Sequence, residues 1–150
     1  MPRLRFFDGC AMVGWRSNRP PETIWHPRDF VRDYHYYGIG AALVHHAVAV
    51  EYHQDVGNRR LLEEIAGLPE LLPQWVVMPH HTGEMAPPDE LVPEMLALGV
   101  RAARIYPKMH GFPMTEEVVG PLLQALQERR IPLFVDVTEL SVEQAAALCE

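Results

Sequence analysis

Cysteine is scarce in this chain. Cys10 and Cys149 stand far apart, so no disulfide framework is expected and a reducing cytoplasm is the expected setting. No apolar run approaches the roughly 20 residues that a membrane span needs. Met1-Pro2-Arg3-Leu4-Arg5 leads straight into a strand pattern, without the features of a signal peptide. Positive charge is thin: 13 Lys and Arg against 20 Asp and Glu give a formal charge of −7, and Arg59-Arg60 and Arg129-Arg130 are isolated pairs. Nucleic acid and membrane surfaces are therefore not expected partners. A glycine-rich phosphate loop is also missing after the first apolar run.

What the 150 residues do contain is enough apolar material for one globular domain over 1–150, at 48% hydrophobic and 22% charged. Five apolar runs are each followed by a polar loop and an amphipathic stretch. Residues 4–13 read as the first strand, with Phe6 and Phe7 adjacent, as in a strand covered on both faces. The long loop 15–27 follows, carrying Pro20-Pro21 and Pro27. Asp29 is placed to cap a first helix ending at Gly38, and residues 40–50 read as the second strand. Asn58 is placed to cap a second helix closed by Gly67, and residues 71–78 form the third strand. Asp89 caps the third helix, and residues 100–106 form the fourth strand. A short turn at 115–119 precedes a fourth helix starting at Pro121, a good first helical residue. Residues 131–137 are the fifth strand, and Ser141 with Gln144 makes a capping box for a helix still running at Glu150.

Units of about 25–35 residues are the size of βα units. Two architectures accommodate five of them. One is an open doubly wound sheet. The other is the N-terminal part of an eight-stranded (β/α) TIM barrel, typically about 250 residues long, and the missing phosphate loop and the helix running at the last residue favour it. A partial barrel exposes two sheet edges, which points to a longer natural chain or a homo-oligomer.

The run Phe7-Asp8-Gly9-Cys10-Ala11-Met12-Val13-Gly14 resembles the opening of the amidohydrolase-related, metal-dependent hydrolases. Gly57-Asn58-Arg59-Arg60, Pro79-His80-His81-Thr82-Gly83-Glu84, Arg104-Ile105-Tyr106-Pro107-Lys108 and Pro132-Leu133-Phe134-Val135-Asp136 are similar in kind. The resemblance implies a small-molecule substrate whose C–N or C–O bond is hydrolysed, or a related decarboxylation, by water on a divalent metal such as zinc, manganese or iron. The chain departs from the pattern at the metal ligands. The family's first strand ends in Asp-x-His-x-His, whereas Cys10 and Met12 hold the histidine positions here, and Asp136 stands where a fifth-strand histidine is usual. The family's remaining ligands would lie beyond Glu150. Cys10 and Asp136 are thus the candidate metal ligands, with no metal as the other outcome. A thioether is a poor zinc ligand, so Met12 is not one of them. A non-catalytic homologue that binds a small anion or serves in assembly is the alternative.

The exits of parallel strands in barrels carry the chemistry, which makes Asp136, Lys108 and His81 the catalytic candidates. Asp136 or a loop histidine would be the base and Lys108 the anion holder. His45, His46, His80 and His110 are the substrate-binding candidates. His45 and His46 alternate across a strand, so at most one faces the mouth. Each has a plain structural alternative: Cys10 and Met12 can fill the interior, and loop histidines can be solvated surface. By period two, Asp8, Cys10 and Met12 are expected on one side of the first strand. Glu63-Glu64 reads as a solvated helix face.

Overall fold

The computed structural model describes residues 6–147. Leu4 and Arg5 of the expected first strand, Cys149, and the expected run of the last helix to Glu150 lie outside those residues. Five parallel strands, β1 (Phe6–Val13), β2 (Ile39–His46), β3 (Leu71–Val76), β4 (Ala102–Ile105) and β5 (Leu133–Val135), alternate with helices and stand in the order β1-β2-β3-β4-β5. A doubly wound sheet reverses its strand order at a switch point. This order has no reversal, so the fold is the partial (β/α) barrel. By contacts the chain divides into two compact units, residues 1–75 and 76–150.

The first unit carries α1 (Pro27–Tyr37), α2 (Ala47–Glu51) and α3 (Gln54–Glu64). Pro27 at its first position pre-sets the φ of α1, and Gly38 closes it in the left-handed conformation at φ 75°. His26, rather than Asp29, caps it, its side chain accepting from Arg28 N–H. The second strand stops at His46, four residues short of its expected end. His46 accepts from Val48 N–H at 3.1 Å and so starts a helix at Ala47, even though Ala-Val-Ala-Val continues the apolar run. α3 begins at Gln54, and Asn58, expected as its cap, is buried inside it. Val13, Ala42, Val44, Leu61, Leu71 and Trp75 form the core of this unit.

In β1 the register slips by one residue: Asp8 pairs with Ala42, yet Ala11 pairs with Val44. This β-bulge breaks the two-residue period. Asp8 therefore shares the face of Ala11 and the helices, and does not stand with Cys10 and Met12 as expected.

The second unit carries α4 (Pro88–Ala97), α5 (Glu116–Glu128) and α6 (Val142–Ala147). α5 is one helix capped at Thr115, and Pro121 sits inside it instead of starting it. Leu91, Met95, Ala103, Ile105, Leu122 and Leu126 pack between these helices and the strands.

A methyl group on Gly57 would collide with the Ala49 backbone, because α2 and α3 meet there without side chains between them. Gly120 in α5 has the flexible Glu116 side chain near it, at 3.4 Å, and precedes Pro121, whose ring disfavours helical backbone for a preceding residue that carries a Cβ. Urea titration is expected to show Gly57→Ala destabilised by at least about 1–3 kcal/mol.

Candidate functional site

At the exits of β4 and β5, strand alternation sorts the chemistry. Leu133 and Val135 of β5, with Ile105 of β4, line an apolar cavity of about 550 Å³ against α5 and α6. None of the candidate site residues lines it. Arg104 and Phe134 pair in register and occupy the opposite strand face. Two residues on, Tyr106 and Asp136 continue that face. Arg104 is 5% exposed, with its guanidinium carbon 6.0 Å from the Tyr106 ring centre and 5.8 Å from that of Phe134. The sequence reading passed over this buried cation. Its signal was a charge inside the otherwise apolar Ala-Ala-Arg-Ile.

Asp136 follows β5, its Oδ1 accepting both the Thr138 N–H, at 2.9 Å, and the Thr138 hydroxyl, at 2.8 Å. These two bonds, backbone first, hold its pKa below the usual carboxylate range, and the charge of Arg104 adds to them. Asp136 is thus an anion at neutral pH. Glu139 Oε2 accepts from Lys108 N–H at 2.8 Å and from Met109 N–H at 3.0 Å, while Lys108 Nζ donates to the Thr138 carbonyl at 3.4 Å. The β4 and β5 exits are tied together by these bonds, which bring Lys108 and Asp136 onto joined loops. His110, in the turn after Lys108, lies 5.7 Å from Tyr106 between ring centres.

His80 and His81 form a single 3₁₀ turn after β3, closed by Gly83, with their rings 4.6 Å apart. His81 is exposed. His80 lines a separate groove of about 410 Å³ with Pro87, Asp89, Pro121 and Glu128.

In the first unit, His45 and His46 do face opposite ways. His45 is buried and pairs with Met12 in register. His46 is 1% exposed and turns to the helices, where its Nε2 lies 3.3 Å from Glu64 Oε2. Since Nδ1 accepts the Val48 N–H, the ring proton sits on Nε2 and is donated to Glu64. Glu64 also accepts from the exposed Arg60 at 2.8 Å; being half-buried and bonded to the buried His46, it is not simply a solvated face. Burial lowers the His46 pKa, opposed by the Glu64 charge and hydrogen bond. Asp8 accepts from Tyr34 hydroxyl at 2.8 Å and from Cys10 N–H at 2.9 Å. Burial, followed by the Asp8 hydrogen bond, raises the Tyr34 pKa.

No family model, curated protein or solved structure matches the chain.

The donors do not fit a divalent metal centre. Asp8 is committed to Tyr34 on the helix side, and Cys10 is exposed on β1. Among the described residues no three His, Cys, Asp or Glu side chains converge on one point. Nor is any helix among them long and apolar enough to cross a membrane.

Two outcomes follow. Tyr34→Phe takes a charge-assisted bond from Asp8 and is expected to cost about 1.5–3 kcal/mol in urea titration. His46 has a depressed pKa in the fold, so the unfolded chain binds more protons once pH falls below its ordinary value of 6.5. Its contribution to stability is complete above that value and is lost as pH drops through the folded pKa. Stability is therefore expected to decline below about pH 6.5, and less steeply in His46→Asn.

Proposed function

We propose that the protein is an amidohydrolase-like barrel protein that binds a small anionic molecule at the joined exits of β4 and β5 and hydrolyses a C–N or C–O bond in it. The observation carrying this reading is that Lys108 and an ionised, firmly oriented Asp136 stand on two loops tied by Glu139. Lys108 Nζ neutralises the substrate's negative group. Asp136 uses only Oδ1 for Thr138, and Oδ2 accepts a proton from water. The water oxygen attacks the carbonyl carbon, the C–N or C–O bond breaks, and the proton passes to the leaving nitrogen or oxygen. Asp136 returns to its charged form.

The test is a panel of small carboxylate-bearing amides, esters and lactones, followed by calorimetry and turnover. Lys108→Ala is expected to weaken binding about tenfold, roughly 1.4 kcal/mol. Asp136→Asn is expected to abolish turnover while leaving binding within a few-fold. Tight binding without turnover in the parent protein replaces this reading with the non-catalytic one. Turnover untouched in both variants overturns it.

Self-association belongs to the same proposal. β1 is an end strand of the sheet, with Phe6 58% and Phe7 56% exposed. Exposed apolar edge strands recruit further strands. Analytical ultracentrifugation is expected to show dimers or larger species, shifted toward monomer by Phe7→Lys. A monomer at all concentrations contradicts it.

A further inference from the structure

The loop over residues 14–26, between β1 and α1, is closed on itself by Gly14 N–H donating to the Trp25 carbonyl at 2.8 Å, and it meets β2 and α2 at two points linked to His46. Gly14, at φ 87°, lies directly against the imidazole: a methyl group there would sit 2.5 Å from His46 Cε1. Glu51, the last residue of α2, accepts from Ser17 N–H at 2.8 Å and pairs with Arg16 at 3.7 Å. α2 has five residues, and His46 Nδ1 caps its N-terminus. The loop held in this way presents an aromatic group. Trp15 is 56% exposed, with the Arg19 guanidinium 3.6 Å over its ring and the Trp25 ring at 5.4 Å edge-on.

Each ring nitrogen of His46 has one allowed state. Nδ1 must be bare to accept the Val48 N–H, and Nε2 must carry the proton that goes to Glu64. A second proton has only Nδ1 to enter, where it meets the Val48 N–H head-on and removes the cap. Loss of an N-cap costs a helix about 1 kcal/mol, and a five-residue helix has little intrinsic stability to absorb that loss. The charged groups facing the ring are Glu64 and Arg60, both from α3. β1 faces it with Val13 and Gly14, and two residues past the paired Val44 and Pro73 the neighbouring strand carries the uncharged Trp75. Glu64 favours the cation. Arg60 and burial oppose it.

We propose that His46 is a proton-operated latch: protonation at Nδ1 uncaps α2, withdraws Glu51 from Ser17 and Arg16, and releases the loop 14–26 with its Trp15–Arg19–Trp25 group. The latch involves none of the residues invoked for substrate binding at β4 and β5, so it stands or falls apart from that reading.

Hydrogen exchange read by mass spectrometry tests it, on the full chain between about pH 7.5 and 5, with rates corrected for intrinsic exchange. Peptides of residues 76–147 serve as the internal reference. In the parent protein, opening of 14–26 is expected to rise by up to about tenfold per pH unit below about 6.5, while the reference peptides stay level. His46→Asn keeps a capping acceptor and cannot take the proton, so its loop is expected to be protected and flat with pH. Glu51→Ala is expected to expose the loop already at pH 7.5 with α3 still protected. A parent loop that tracks the reference peptides at every pH overturns the latch, as does a His46→Asn loop that keeps the parent slope. Should His46→Asn fail to fold, the Glu51→Ala loop decides: protection unchanged at pH 7.5 overturns the latch.

Discussion

A histidine buried at the end of a strand needs a partner for each ring nitrogen, and His46 obtains both from opposite directions. Val48 N–H fills Nδ1 and Glu64 receives Nε2–H. Much of the first unit follows from this constraint. The strand must stop at His46, because the residue that caps a helix cannot continue a ladder. The space beside the ring admits only glycine at position 14. α2 must then run close enough to α3 for Glu64 to reach back, which leaves no room for a side chain at Gly57. Glu51, delivered at the far end of α2, fixes the loop between β1 and α1. The individual bonds are worth about 1 kcal/mol net each, but removing one leaves a buried polar atom unpaired, which costs more than the bond contributed.

The second unit distributes its chemistry differently. Here a short parallel strand pair sets apolar side chains toward the helices and puts Arg104, Phe134 and Asp136 on the other face. The charge of Arg104 and the two bonds from Thr138 act in the same direction on Asp136, and both keep it ionised. A carboxylate fixed in that state is suited to accepting a hydrogen bond and poorly suited to donating one, and the same lowered pKa makes it a weaker base than an ordinary carboxylate. Glu139 contributes no chemistry of its own. It holds two loops in register through backbone N–H groups, so the spacing of Lys108 and Asp136 is set by the main chain.

The succession of βα units was legible because buried parallel strands are short apolar runs and each helix has glycine or proline punctuation. The TIM-barrel reading over an open sheet was legible from the missing phosphate loop, and the strand order agrees with it. Boundaries failed where tertiary contacts outweighed pattern. Ala47–Glu51 reads as strand by composition, yet the capping bond of His46 makes it helix. Asp8 was assigned to the wrong face because a bulge between Asp8 and Ala11 resets the alternation, and no periodicity argument sees a bulge. Glu64 was read as solvated because its partner lies 18 residues earlier, on another element. Arg104 was missed for the opposite reason: its burial was legible from the apolar residues around it, but the reading weighed only strand exits. Of the candidate residues, Lys108 and Asp136 are brought onto joined loops, His46 is absorbed into the helix layer, and His80 lines a groove of its own.

The state of one imidazole carries the account of the first unit, and nitrogen-15 NMR of His46 measures it directly. The account predicts a neutral ring at pH 7.5 with the proton fixed on Nε2 and a bare Nδ1, still neutral at pH values where a free histidine is half charged. A ring protonated on Nδ1, one averaging between tautomers, or one already cationic near pH 7 would contradict it.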